Sequence, residues 1–129
     1  MDKLQVLSAP IARLFLSLIF IISGFNKITG YAGTQGYMEA MGVPGVMLPL
    51  VILLELVGGI AILVGFKTRL VALLFVGFNI VSAILFHNFL ADAGELNNFM
   101  KNIAIAGGFL MLFAHGAGAY AIDNNRTQR

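Results

Sequence analysis

Residues 46–66, VMLPLVILLELVGGIAILVGF, hold a single charge, Glu55, in twenty-one positions. At 1.5 Å per residue such a run makes a helix of about 30 Å, the thickness of a bilayer's hydrocarbon core. In lipid the backbone must satisfy its own hydrogen bonds, so a run of this length reads as a transmembrane helix. Three further apolar runs flank it: Ala9 to Ile22, interrupted by Arg13; Leu70 to Phe86; and Ile103 to Ala121, with His115 inside. None alternates polar and apolar positions as an outer-membrane barrel would. The expected fold is an all-α membrane protein: one domain, residues 1–129, built as a four-transmembrane-helix bundle. Its expected spans are about 8–24, 45–66, 69–87 and 101–121. The first run has only Lys3 as a basic flank and no small-x-small cleavage site after it, so it reads as a span rather than a signal peptide.

Composition agrees. Of 129 residues 59% are hydrophobic and 11% charged, where globular domains carry about 25% charge. A domain this small exposes too much surface to be solvated by so few charges, which excludes a soluble monomer. A net charge of +2 is too weak for a nucleic-acid footprint. With no cysteine there is no disulfide, thiolate metal site or thiol redox couple.

Four spans put both termini on one side of the membrane. That side collects Lys3, Lys67, Arg69, Arg126 and Arg129, while the other holds Lys27 and Lys101. The asymmetry predicts cytoplasmic N- and C-termini. On the outer side the connection from Gly24 to Pro44 has its own punctuation. Thr34 is placed to cap a short helix running to about Met41, with Gly42 as a left-handed stop and Pro44 beyond. Tyr31, Tyr37, Met38 and Met41 suit it to lie at headgroup level as an interfacial helix. The turn from His87 to Met100, with Asp92 and Glu95, reads as a solvated loop, and 123–129 as a polar tail. No internal repeat is evident, which disfavours a transporter.

Arg13 and Glu55 are the charges set well inside a span. A charge at a helix centre costs about 2.5–3.5 kcal/mol, so neither is expected to face lipid. Glu55 lies near the midplane and Arg13 about 6 Å from the middle of its span, an offset an extended arginine covers. The two are expected to face each other inside the bundle, paired or through a water. Such a pair is a clamp fixing helix register or part of a functional pocket. A third arrangement has Arg13 snorkelling with Glu55 protonated. Helical spacing supports a shared interior: Arg13, Ser17, Phe20, Gly24 and Lys27 form one stripe, Glu55, Gly59 and Ile62 a second. Asn79 and Ser82 align with Ala72, Phe75 and Phe86, and Lys101, Ile105, Gly108, Leu112 and His115 make a fourth stripe. His87 and His115 fall at opposite ends of their spans and cannot share a haem within one monomer. No spacing resembles a zinc or di-iron site, so no metal site is expected, and no nucleophile, base and orienting acid converge. The chain's own chemistry indicates no self-contained enzyme.

Several segments carry a resemblance: Arg13-Leu14, Ser23-Gly24-Phe25-Asn26-Lys27, Gly42-Val43-Pro44, Glu55-Leu56-Val57-Gly58-Gly59, Gly65-Phe66-Lys67-Thr68-Arg69, and Lys101-Asn102 with Gly107-Gly108. In this order and at these depths they resemble the bacterial DoxX family over nearly the whole chain. Ile28 to Gln35 and Tyr37 to Pro44 are similar to an enterobacterial inner-membrane member. The resemblance implies a multi-pass protein of the bacterial inner (plasma) membrane. Family members are described as a quinone-linked subunit of thiosulfate oxidation and as the membrane anchor of an oxidoreductase complex against oxidative stress. Some carry a quinol oxidase label, but oxygen reduction needs haem or copper ligands that are not assembled here. Four-helix relatives of the vitamin K reductase type need a cysteine pair, also missing.

What carries over is a quinone-sized pocket beside Arg13 and Glu55, the candidate catalytic pair, with Lys27, Asn79, Lys101 and Asn102 as ligand-binding lining. Glu55 would accept or relay a proton and Arg13 would polarise a quinone carbonyl. The expected function is a membrane subunit that binds a quinone or similar apolar ligand and acts with a redox protein partner or as a homo-oligomer. The alternative is a non-catalytic scaffold or stress-response protein whose buried charges only fix helix register.

Overall fold

The computed structural model describes residues 3–87, 90 and 92–125. Among these the regular structure is entirely helical. Helix α1 is Lys3–Thr29 and α2 is Tyr31–Ala40. Helix α3 spans Gly45–Val64, opening with a 3-10 turn at Gly45–Met47 and widening to a π turn at Leu54–Gly58. Helix α4 is Thr68–Phe86 and α5 is Leu96–His115. Helices α1, α3 and α4 are long and apolar enough to cross a membrane. Helix α5 is as long, at 20 residues, but Asn97, Asn98, Lys101 and Asn102 dilute its first two turns.

The bundle is two helix pairs, α1 on α3 and α4 on α5. An aromatic cluster joins them: Phe75 stacks on Phe109 at 4.7 Å, and Phe20 lies 4.6 Å from Phe75. Ile62, Ala72 and Leu112 complete this core. Glycines bring α1 and α3 together, since a Cβ at Gly24 would lie 2.8 Å from Leu56 Cγ and one at Gly59 2.7 Å from Ile21 Cγ1. The widened turn lets both Gly58 and Gly59 face inward, the first beneath Phe75. Outside, the helices present large apolar side chains all round, such as Phe15 at 70% and Met111 at 62% exposure. An apolar surface this extensive is one that lipid solvates and water does not.

Three expectations are corrected. Thr34 does not cap α2: the helix begins three residues earlier, at Tyr31, with Gly30 at its N-cap position. Its end does follow the glycine rule, because Gly42 takes φ +85°, donates to Glu39 O, and is followed by a Val43 to Met38 O bond. The helix expected over 101–121 is α5, which ends earlier, at His115. Gly116, Gly118 and Tyr120 adopt positive φ and turn the chain into a strap, a change of conformation that an unbroken apolar composition conceals. On α5 the buried face also differs, comprising Ala106, Phe109 and Leu112, while Lys101 and His115 are exposed. With apolar residues on nearly every side of that helix, polarity contrast does not reveal which side packs.

Candidate functional site

Arg13 and Glu55 are buried, at 1% and 3% exposure, but they do not meet. Glu55 packs at the level of Gly24, and Arg13 at the level of Gly65. Gly24 is eleven positions beyond Arg13 on α1, an axial offset of about 16 Å. Instead, the Arg13 guanidinium serves backbone. Nη1 donates to Leu63 O (2.8 Å), Nε to Ala117 O (3.0 Å), and Nη2 to Ala119 O and Tyr120 O (2.7 and 2.9 Å). Four donors are thus spent on one carbonyl at the end of α3 and three in the strap, satisfying acceptors that no helix ladder serves. Asp123 fixes the strap's other end by accepting from Lys67 N and Thr68 N at the start of α4. The expected Arg13–Glu55 pair is therefore corrected: separation along α1 forbids it, and the strap carbonyls take the arginine. Arg126 and Arg129 lie outside the described residues.

Glu55 sits in the π turn of α3 and pairs with Lys27, whose Nζ lies 2.9 Å from Oε1. At that distance the contact is charge-assisted, between an ammonium and a carboxylate oxygen buried in the bundle. Lys27 reaches it from the last turn of α1, on the same stripe as Arg13, Ser17, Phe20 and Gly24. This acid–base pair lies on a cavity of about 290 Å³, just below the roughly 300–1,000 Å³ of small-molecule sites.

The cavity gathers side chains from all five helices. Glu55, Lys27, Asn79 and Asn102 line it together; Arg13 and Lys101 do not. Asn79 Nδ2 donates one hydrogen to Phe75 O at 2.8 Å. Asn102 Nδ2 approaches Asn79 O at 3.5 Å. Helix α2 forms one wall through Thr34, Tyr37 and Met38, and Tyr37 stacks on Phe86 at 5.5 Å. At the end of α4, His87 also faces the cavity, and its Nδ1 lies 2.9 Å from Glu95 Oε1.

Sequence reasoning missed Ser23, Thr34, Tyr37 and His87 as lining. Ser23 had a signal, lying four positions before Lys27 on the same helix face. The other three reach the cavity only through the way α2 and the end of α4 fold over it, and no local spacing records that. Glu95 holds its carboxyl below the ordinary range, first through the Asn98 hydrogen bond and then through that with His87. Among the described residues no group of three or more metal-ligating side chains occurs.

A bundle coated in apolar side chains, with an acid–base pair inside it beside a cavity, is an integral membrane protein with an internal polar site. The chain belongs to the DoxX family, whose pattern matches residues 9–88. It is 56% identical over 123 residues to the inner membrane protein YqjF of Escherichia coli (strain K12), covering 95% of each chain. It is 40% identical over 120 residues to the inner membrane protein YphA of the same organism, covering 88% of this chain and 86% of YphA. Over 75 residues, 58% of this chain and 56% of the relative, it is 31% identical to CatD of Bacillus subtilis (strain 168), named provisionally as an oxidoreductase. No solved structure gave a significant match. The protein is an integral inner-membrane protein of the DoxX family.

Proposed function

We propose that the protein binds a quinone or similar apolar ring ligand in the cavity beside Glu55 and Lys27, and exchanges electrons only with a redox protein partner. The single observation that carries this reading is a buried carboxylate, ion-paired to Lys27, lining a cavity inside an apolar bundle. An ionisable group held within a membrane protein is a functional candidate by default. Glu55 takes the proton-accepting role, and Lys27 takes the carbonyl-polarising role expected of Arg13. The oxidoreductase name of the more distant relative CatD points the same way.

Four spans and cytoplasmic termini complete this reading. Helix α5 is the fourth span, supported by the contribution of Phe109 and Leu112 to the shared core. Lys3, Lys67 and Arg69 lie at the cytoplasmic end, and the cavity opens toward the other side beneath α2, which lies at headgroup level. Titration of the purified protein with a ubiquinone analogue, wild type against Glu55→Gln, tests the proposal. Saturable binding weakened by the substitution is expected; equal binding to both, or none, overturns it.

The scaffold reading keeps one specific support, the Arg13 clamp, which binds only backbone and does no chemistry. It predicts that Arg13→Ala and Glu55→Ala each lower thermal stability, and intact stability with lost ligand binding argues against it.

A further inference from the structure

We propose that the groove between α1 and α5 holds an acyl chain of an anionic phospholipid, whose phosphate is bound at the groove's end by Arg69 and His115. Helices α1 and α5 belong to different pairs of the bundle, and the seam between them is filled unevenly. At the level of Phe20 and Phe109 the two rings close it, with centroids 5.6 Å apart. Nearer the start of α1 no ring fills the seam. There Ala9 and Ala12 of α1 and Gly108 of α5 line an open-sided groove of about 490 Å³, with Phe15 and Met111 as its exposed walls. The groove lies at the far end of α1 from Lys27, so the inference is independent of the ring-ligand reading.

Polar chemistry is confined to one end of this groove. Among its described lining residues only His115 has a polar side chain, and its ring offers an N–H in either tautomer. Arg69, in the first turn of α4, folds over the next residue of the lining. A Cβ on Gly116 would lie 3.2 Å from Arg69 Nε and 3.3 Å from Nη2. The guanidinium fork matches two oxygens of a phosphate. Among the described residues, neither Arg69 nor His115 has a carboxylate within ion-pair distance. Asp123, at the same end of the bundle, accepts from Lys67 N and Thr68 N.

Charge complementarity decides the occupant. An apolar trough that ends on a guanidinium and an imidazole matches an amphiphile with a long apolar chain and an anionic head. Basic pockets between transmembrane helices recognise anionic headgroups on this physical basis. A second copy of the chain fits less well. A two-fold axis along the membrane normal would bring its Arg69 to the same depth as this one, like charge toward like charge. A zwitterionic lipid would fill the trough but bring an ammonium of its own to the cationic end.

The test uses the full chain in nanodiscs of equal parts phosphatidylethanolamine and phosphatidylglycerol with matched acyl chains, released into mild detergent and weighed by native mass spectrometry. The wild type is expected to retain phosphatidylglycerol about fivefold over phosphatidylethanolamine, the preference that one basic residue supplies near an anionic headgroup. Arg69→Gln should erase that preference while lipid is still retained. Ala12→Phe, at an exposed position on the groove, should displace the retained lipid whichever its headgroup. With no variant at all, added phosphatidylglycerol should raise the wild-type melting temperature more than phosphatidylethanolamine does, and high salt should shrink the difference. Equal retention of the two lipids by the wild type, an unchanged preference in Arg69→Gln, or release of the wild type as a lipid-free monomer or dimer would overturn the inference. None of these outcomes bears on the ring-ligand cavity.

Discussion

At Arg13, burial and hydrogen bonding assign a role that charge alone misassigns. A guanidinium in a lipid-solvated bundle needs acceptors, and a carboxylate is only one kind. Carbonyls released by left-handed residues in the strap are another, and four bonds to backbone oxygens use nearly the whole donor set. Arg13→Ala should therefore destabilise the protein by on the order of 2–4 kcal/mol, read as thermal unfolding in detergent, because it orphans four carbonyls, one buried and three partly buried. The double exchange Arg13→Glu with Glu55→Arg should not restore stability, since the two positions lie at different depths. Restoration would put them in contact after all. Glu95 gives a pH prediction. Its folded-state pKa is lowered, so its contribution is complete above the ordinary carboxylate range, near 4.3. It is lost as pH falls through the lower folded value. The wild type should lose a small increment of stability over that acid window, and Glu95→Gln should show no such increment when melting is followed against pH.

Among the elements, the glycines separate into those the packing requires and those it does not. Gly65 ends α3 at φ +75°, and a Cβ there would meet Ala121 and lie 3.0 Å from Arg13 Nη1. Gly65→Ala should cost about 1–3 kcal/mol, since both backbone and clamp resist it. Gly77 lies in α4, and a Cβ added there would meet nothing within 4 Å, so Gly77→Ala should be neutral or stabilising by up to about 1 kcal/mol. Equal effects on melting temperature would contradict this contrast. The sequence showed the helix-forming runs and the α1 and α3 stripes, whose buried members are those that 3.6-residue spacing selects. It missed the strap and the buried face of α5, because apolar residues that pack and apolar residues that meet lipid look alike.

For the whole molecule, the cavity exists because two helix pairs meet at an aromatic seam and α2 folds over one end. Ser23→Leu should fill part of that space and weaken ring-ligand binding while leaving the melting temperature within about 1 kcal/mol equivalent of wild type, measured by paired titration and thermal unfolding. Unchanged affinity would place the ligand elsewhere. Of the lining that the family resemblance implied, Lys27, Asn79 and Asn102 border the cavity with Glu55, while Lys101 is exposed. That Glu55 pairs with Lys27 and not Arg13 was not legible, because stripe membership gives a side but not a depth partner.

The amino-acid order alone determined that this protein lives in lipid, that its long runs are helical and which residues of α1 and α3 turn inward, since hydrocarbon penalises bare backbone and bare charge wherever they fall. Only the tertiary structure decided which charge meets which acceptor and that His87 joins the cavity. Partners on different helices are chosen by axial register and by loops that fold back, and neither is written in the periodicity of any one segment.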